Sequence, residues 1–180
     1  MMQRLAFSVA GLILLVSPVS AQDPFELVPQ QDGATACWQR VYDEGHLAAH
    51  PRQSVTTMTF AAGFYAHDEP EPEDAGLTLF GMTVTLRDGT KGYTSGGCWP
   101  GEGGLLRCGV DCDGGGVAVS AARNGGLLID LEATGYIRME GECGSDGEAE
   151  SFSLEPGADD RQFRLPVADA KACKGLLPVW

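Results

Sequence analysis

Short runs rich in Val, Thr, Leu, Phe and Tyr recur along most of the chain and are separated by glycine-bearing turns. Runs of this length, with apolar and polar positions alternating, are typical of antiparallel strands. In one run Met58 and Phe60 alternate with threonines, so these two side chains are expected to face the core. The pattern predicts strands over residues 36–42, 54–64, 77–86, 91–98, 105–112, 117–121, 127–132, 136–142, 151–154 and 162–165.

The segments between these runs carry the residues of tight turns. Residues 87–90 contain Asp-Gly and residues 123–126 contain Asn-Gly, dipeptides that tolerate the positive φ angles of hairpin turns. Consecutive hairpins form a meander, which we expect to close into a small antiparallel barrel because closure removes exposed sheet edges. A two-layer sandwich is the alternative all-β architecture.

One short helix and one long loop are predicted to interrupt the β pattern. Asp43 is a favourable N-cap for a helix over residues 44–49, and Pro51 ends this helix because the residue before proline avoids helical geometry. Residues 66–76, AHDEPEPEDAG, are acidic and contain two prolines. A loop in contact with water is therefore predicted there.

Aromatic residues occur in nearly every predicted strand. Such a distribution is typical of a core or a barrel lining, and no exposed stacking surface is predicted from it. The residues concerned are Trp38, Tyr42, Phe60, Phe64, Phe80, Tyr93, Trp99, Tyr136 and Phe163.

The N-terminal residues 1–21 have the features of a cleavable signal peptide. Arg4 precedes an apolar stretch over residues 5–16, and small residues at positions 19–21 suit a signal peptidase. The apolar stretch is shorter than the roughly 20 residues that a membrane span needs. We therefore predict a secreted or periplasmic protein without a membrane span after cleavage, with a mobile tail over 22–33 and a single β domain over 34–180.

All six cysteines follow this cleavage point, and an even number in an exported chain indicates three disulfides rather than a metal site. The cysteines are Cys37, Cys98, Cys108, Cys112, Cys143 and Cys173. If Cys108 and Cys112 shared a strand they would lie about 13 Å apart, beyond the roughly 7 Å that a disulfide allows, so they are not expected to pair. A bond between Cys37 and Cys173, near the two ends of the domain, is the favoured pairing.

The charge of the chain restricts its partners. The formal net charge is −13 and the only lysines are Lys91, Lys171 and Lys174. A surface of this kind repels nucleic acid and anionic lipid, and it favours solubility or a basic partner.

Two pairs of side chains are candidate metal ligands. His46 and His50 have the four-residue spacing of a helical metal site, but Leu47 stands where a zinc hydrolase has glutamate, so a structural role is favoured. Asp111 and Asp113 flank Cys112 before three glycines, which is superficially like a calcium loop but lacks its later oxygen ligands. A turn beside a disulfide is favoured there, and no metal site is assigned.

The sequence contains neither a nucleophile elbow nor a phosphate-binding loop, so no catalytic residue and no cofactor are assigned. Three stretches, CWQRVYDEGHLAAHP at 37–51, RCGVDCDGGG at 107–116 and EPGADDRQFRL at 155–165, resemble a group of small exported bacterial proteins. No catalytic residues are established for that group. The resemblance therefore implies export and a small β fold, and it implies no chemistry.

These observations favour a non-catalytic binding or accessory module. Its partner is expected to be a protein or a small ligand, contacted through loops such as 66–76 and 99–104. The alternatives are a hydrolase that uses His46 or His50 with nearby acids, and a structural module stabilised by calcium.

Overall fold

The computed structural model describes residues 27–71, 74–139 and 151–177, and this part of the chain is almost entirely β. Its one α-helix is α1 (Glu44–Ala49). Its strands are β1 (Thr35–Val41), β2 (Val55–Glu71), β3 (Asp74–Leu86), β4 (Lys91–Pro100), β5 (Leu106–Gly109), β6 (Gly116–Ala121), β7 (Leu127–Asp130), β8 (Ile137–Met139), β9 (Phe152–Leu154) and β10 (Gln162–Leu165).

Eight of these strands form one antiparallel sheet in the order β1-β2-β3-β4-β5-β6-β7-β10, and β8 pairs with β9 separately. The two edges of the sheet approach each other where Trp38 of β1 forms a bridge with Val167, just after β10. The Gln39 amide donates to the Pro166 carbonyl at 3.1 Å, and the Ala168 amide donates to the Cys37 carbonyl at 2.9 Å. The predicted all-β fold is therefore confirmed, as a sheet that nearly closes into a barrel.

The barrel interior is filled by apolar side chains from almost every strand. Met58 and Phe60 face inward and are buried, as their alternation with threonine predicts. The rings of Phe60 and Phe80 stack with their centroids 5.4 Å apart. Ile129 and Phe163 are also buried from the opposite side of the barrel. The strands are thus held together by a packed core, the usual interior of a barrel of this size.

Helix α1 begins and ends where the sequence predicts. Oδ1 of the N-cap Asp43 accepts a hydrogen bond from the His46 amide at 2.8 Å. At the other end, Nη2 of Arg87 donates to the carbonyl oxygens of Leu47 at 2.8 Å and His50 at 2.9 Å. A six-residue helix is too short to be stable alone, so it depends on these contacts at its two ends.

The loop predicted over 66–76 is wrong, because residues 66–71 belong to β2 and residues 74–76 belong to β3, and these parts of the two strands form a ribbon. Ala66 pairs with Gly76 and Glu71 pairs with Asp74, with a register shift between Ala66 and Glu71 on β2. Asp68, Glu69 and Glu71 are exposed in the ribbon. An exposed ribbon lets charged side chains reach water as a loop would, so acidity alone did not exclude strand pairing. We call residues 66–76 the acidic arm.

The strand predicted over 105–112 is also shorter than expected. β5 ends at Gly109, and residues 111–113 form a turn in which Cys112 and Asp113 have φ angles of 56° and 59°. The Val110 amide donates to the Gly115 carbonyl at 3.0 Å and closes this turn. Asp111 and Asp113 therefore lie on a turn rather than on one face of a strand.

Part of the segment predicted as a mobile tail packs against the barrel. Val28 is buried in the core. The Gly33 amide donates to the Phe64 carbonyl at 3.0 Å, and Oδ1 of Asp32 accepts from the Ala66 amide at 3.0 Å. The packed domain therefore includes residues that precede Ala34.

Two disulfides join described residues. Cys37 bonds to Cys173 with their Cα atoms 5.9 Å apart, which confirms the favoured pairing. Cys98 bonds to Cys108 across β4 and β5, so Cys108 and Cys112 are not partners, as predicted, although Cys112 lies in the turn after β5 and not on the same strand. Cys112 is also disulfide-bonded, and Cys143 lies outside the described residues. Structural disulfides indicate an oxidising compartment.

After β10 the chain crosses the outer face of β1 to β4, and we call residues 166–177 the C-terminal strap. Cys173 fixes the strap to β1 through its disulfide with Cys37. The Tyr93 hydroxyl donates to the Leu176 carbonyl at 3.3 Å. A Cβ atom added at Gly81 would lie 1.9 Å from that same carbonyl oxygen. The strap therefore lies directly on the backbone of β3.

Candidate functional site

The outer face of the barrel carries an open groove beside the C-terminal strap. Its volume is about 740 Å³. The floor is formed by side chains of β1, β2 and β3, and the strap forms one wall. Small and aliphatic residues dominate the lining: Ala36, Ala61, Leu77 and Leu79 from the strands, and Ala170, Cys173 and Leu177 from the strap. We call this feature the outer groove.

The register of the sheet explains why the outer groove is shallow and apolar. Gly63 pairs with Leu79, which pairs with Gly97, so Leu79 stands between two glycines in the same row of the outer face. Ala61 and Cys37 are opposite each other in the neighbouring row. Because these positions carry little or no side chain, the strap approaches the sheet closely and leaves an apolar channel at its border.

A row of larger side chains borders the groove on the side away from the strap. The row consists of Tyr65 on β2, Leu77 on β3 and Trp99 on β4. Tyr65 pairs with Leu77, and the next residues of β3 and β4, Thr78 and Cys98, pair beside Leu77 and Trp99. Leu77 and Trp99 are each 52% exposed. A Cβ atom at Gly109 would lie 2.6 Å from the Trp99 ring, so this ring lies against the backbone of β5. The row extends the apolar surface beyond the groove.

The rim of the outer groove is polar. Asp32, Tyr65 and His67 line it where it meets the acidic arm. Partial burial raises the pKa of the Tyr65 hydroxyl above its ordinary value, so this group remains an uncharged hydrogen-bonding group at neutral pH. An apolar floor with a polar rim is the usual anatomy of a protein interface.

The structure places His46 and His50 together at the far end of the barrel. Their rings stack with centroids 4.2 Å apart, and the ring of Tyr42 lies against that of His46 at 4.6 Å with a tilt of 31°. His50 is the C-cap of α1, so Pro51 removes it from the helix without separating the two rings. Burial raises the pKa of Tyr42, with the nearby Arg40 acting in the opposite direction.

The hydrogen bonds of these histidines are those of structural groups. His46 Nε2 lies 3.0 Å from the amide oxygen of Gln53, and His50 Nδ1 lies 2.9 Å from the His46 carbonyl oxygen. A histidine that acts as a general base is normally oriented by a carboxylate, and these two contacts supply none. The geometry therefore does not favour the hydrolase alternative at this place.

The acids nearest this end of the barrel are engaged with backbone. Asp160 is buried, and its Oδ2 accepts from the Ser54 amide at 2.6 Å and from the Ser54 hydroxyl at 2.5 Å. Asp159 accepts from the Arg52 amide at 3.1 Å. These contacts attach the segment before β10 to the start of β2, which is a structural role.

Asp111 and Asp113 lie elsewhere in the molecule. Helix α1 lies near the end of β3, where Leu86 pairs with Val55. The turn at residues 111–113 follows β5, whose Cys108 pairs with Cys98. Cys98 in turn pairs with Thr78, eight positions away from Leu86 along β3. At about 3.3 Å per residue, the two regions are separated by roughly 25 Å. Among residues 27–71, 74–139 and 151–177, no group of three or more His, Cys, Asp or Glu side chains could hold a metal ion.

Three of the aromatic residues expected in the core are exposed. Trp99 is 52% exposed, Tyr93 is 37% exposed and Tyr136 is 38% exposed. The residues of β4 alternate between faces, so Thr94 points inward while Tyr93 and Ser95 point outward. Tyr93 and Trp99 are an even number of residues apart in β4, so the alternation predicts that both lie on the outer face.

No helix in the described part of the chain is long and apolar enough to cross a membrane. Comparison with protein-family models, with curated protein sequences and with solved structures finds no match.

Proposed function

We propose that the protein is a non-catalytic binding module and that its ligand or partner docks in the outer groove. One observation carries this proposal: the barrel interior is packed with buried side chains, whereas an open apolar cavity of about 740 Å³ lies on the outside. Binding sites are typically concave and mainly apolar, with a few polar groups at their border. The outer groove has this composition, whereas the interior of the barrel is occupied by buried apolar side chains.

We also infer that binding takes place outside the cytosol. The disulfides support an oxidising compartment. The N-terminal pattern of Arg4, an apolar stretch and small residues at 19–21 supports export to the periplasm or the medium.

The outer groove is tested with Nile red, an uncharged dye whose fluorescence rises and shifts to the blue in apolar surroundings. We expect saturable binding of the dye to the full protein. Leu77→Ser weakens this binding about tenfold, because the change removes roughly 1–1.5 kcal/mol of apolar contact.

Val41→Ser is the matched control for this experiment. Val41 is also an exposed aliphatic residue on a strand, 65% exposed, but it does not line the groove. We expect its dye affinity to equal that of the wild type. Equal losses in both variants, or dye binding that does not saturate, would remove the outer groove as a binding site.

The calcium-stabilised alternative stays a prediction. It requires a chelator to lower the melting temperature, because a ligand that binds only the folded state stabilises that state. An unchanged melting temperature excludes it.

A further inference from the structure

The lining of the outer groove restricts the chemistry of its occupant. Leu77, Leu79 and Leu177 offer aliphatic contact, and Ala36, Ala61 and Ala170 leave room beside them. A sugar chain needs many directed hydrogen bonds from its site, and this lining supplies few of them. Aliphatic side chains of a polypeptide suit it better, since they are recognised by shape and desolvation.

The dimensions of the outer groove suit an extended chain. Its lining on β2 runs from Ala61 to His67, which is about 20 Å at 3.3 Å per residue. Across the sheet the lining reaches from β1 to β3, about 10 Å at the normal strand spacing. About six residues of extended polypeptide fill this length.

The charges beside the outer groove favour a cationic occupant. Asp32 lines the rim, and Asp68, Glu69 and Glu71 project from the acidic arm that begins at the same rim. His67 is the only Lys, Arg or His side chain among the lining residues, and Lys171 and Lys174 lie on the strap without lining the groove. With a formal net charge of −13 for the whole chain, the potential at the arm is negative.

We propose that the outer groove and the acidic arm together bind a basic, extended segment of another protein whose aliphatic side chains enter the groove. This inference rests on the proposed function and names the partner chemistry for the same site. The groove supplies the apolar contact, and the arm supplies the attraction and orientation of the positive charges.

The test uses four probes and calorimetry on the full protein. The first probe is an octapeptide of alternating lysine and leucine. Its counterparts are a glutamate–leucine octapeptide, a lysine–serine octapeptide and the neutral sugar cellohexaose. We expect the lysine–leucine peptide to bind at least about tenfold more tightly than the other three, and to weaken about tenfold when salt is raised from low to high concentration.

Variants separate the two parts of the proposal. We expect Asp68→Asn combined with Glu69→Gln to lower the affinity for the lysine–leucine peptide about fivefold. The affinity for Nile red is expected to be unchanged, because only the charge is altered. Glu44→Gln combined with Glu155→Gln is the control, since it makes the same change in net charge at exposed positions away from the groove. We expect this control to bind the peptide like the wild type.

Other outcomes overturn the inference and leave the proposed function distinguishable. If Nile red binds but both charged leucine peptides bind with equal affinity, the outer groove is a binding site but its partner is not selected for positive charge. Cellohexaose that displaces the dye identifies a glycan site instead. A dimer that Leu77→Ser converts to a monomer identifies a second copy of this chain as the occupant. A variant ending at Leu177 that binds the dye about tenfold more tightly identifies the chain's own last residues as the occupant.

Discussion

Two glycines on the outer face of the sheet, Gly81 and Gly97, occupy equivalent strand positions with different surroundings. A Cβ atom at Gly81 would collide with the Leu176 carbonyl oxygen at 1.9 Å, whereas a Cβ atom at Gly97 would meet nothing within 4 Å. Neither glycine needs a positive φ angle. The absence of a side chain is therefore required for packing at Gly81 only.

Gly81→Ala is accordingly expected to destabilise the protein by about 2 kcal/mol or more, because the C-terminal strap must move away from β3. Gly97→Ala is expected to change stability by less than about 1 kcal/mol, and in the stabilising direction, since alanine reduces the freedom of the unfolded chain. Urea unfolding of both variants checks this. Equal effects would mean that the strap is not seated on Gly81.

At the residue scale, the sequence predicted the features that follow from local patterns, such as the alternation of apolar and polar residues and the preference of aspartate for a helix N-cap. It placed Met58 and Phe60 inside and Asp43 at the start of a helix, and the structure confirms both. The sequence could not predict that the strap packs on the backbone at Gly81, because this contact involves Leu176, which is 95 positions later along the chain. It also assigned Trp99 to the core on the basis of residue type, although its neighbours in β4 alternate.

At the scale of elements, helix α1 depends on a side chain from the hairpin between β3 and β4. Arg87 donates through Nη2 to two carbonyl groups at the end of α1 and through Nε to the Gln53 carbonyl. Carbonyl groups at the end of a helix lack partners within it, so this side chain satisfies groups that would otherwise require water.

Arg87→Met is expected to lower the free energy of unfolding by about 1–2 kcal/mol, because three hydrogen bonds are lost while the length of the side chain is kept. Arg52→Met is the control, since Arg52 Nη2 is 3.9 Å from Asp159 and its side chain is 74% exposed. An exposed ion pair of this kind contributes less than about 1 kcal/mol. Chemical unfolding that gives the same stability for both variants would contradict the capping role.

The acidic arm is an element that composition misrepresents. Its sequence has the acids and prolines of a loop, yet Ala66 and Glu71 of β2 pair with Gly76 and Asp74 of β3. Pro70 lies in the stretch between Ala66 and Glu71 where the register shifts, and proline is tolerated at such irregularities. The outer groove could not be predicted from the sequence either, because its lining combines residues of the arm with residues of the strap, more than 90 positions later in the chain.

At the scale of the whole molecule, the two disulfides that join described residues close loops of very different length. Cys37 and Cys173 are 136 residues apart in sequence, and Cys98 and Cys108 are 10 apart. A cross-link that closes a longer loop removes more conformational entropy from the unfolded chain. The first disulfide also joins the strap to β1, next to the seam where the sheet closes.

Replacing Cys37 and Cys173 together by alanine is therefore expected to cost about 5 kcal/mol, against about 3 kcal/mol for the same replacement of Cys98 and Cys108. Guanidinium unfolding of the two double variants measures both values. A larger loss for the Cys98 and Cys108 variant would show that local packing between β4 and β5, rather than loop entropy, determines the contribution of these bonds.

The bond between Cys37 and Cys173 also turns most of the domain into a covalent ring. A protease that cuts one peptide bond of the acidic arm opens this ring without dividing the molecule. The nicked protein keeps its two parts together, gains only the mass of one water, and separates into fragments only after reduction. A single cleavage anywhere between Cys37 and Cys173 therefore leaves the two resulting parts covalently joined.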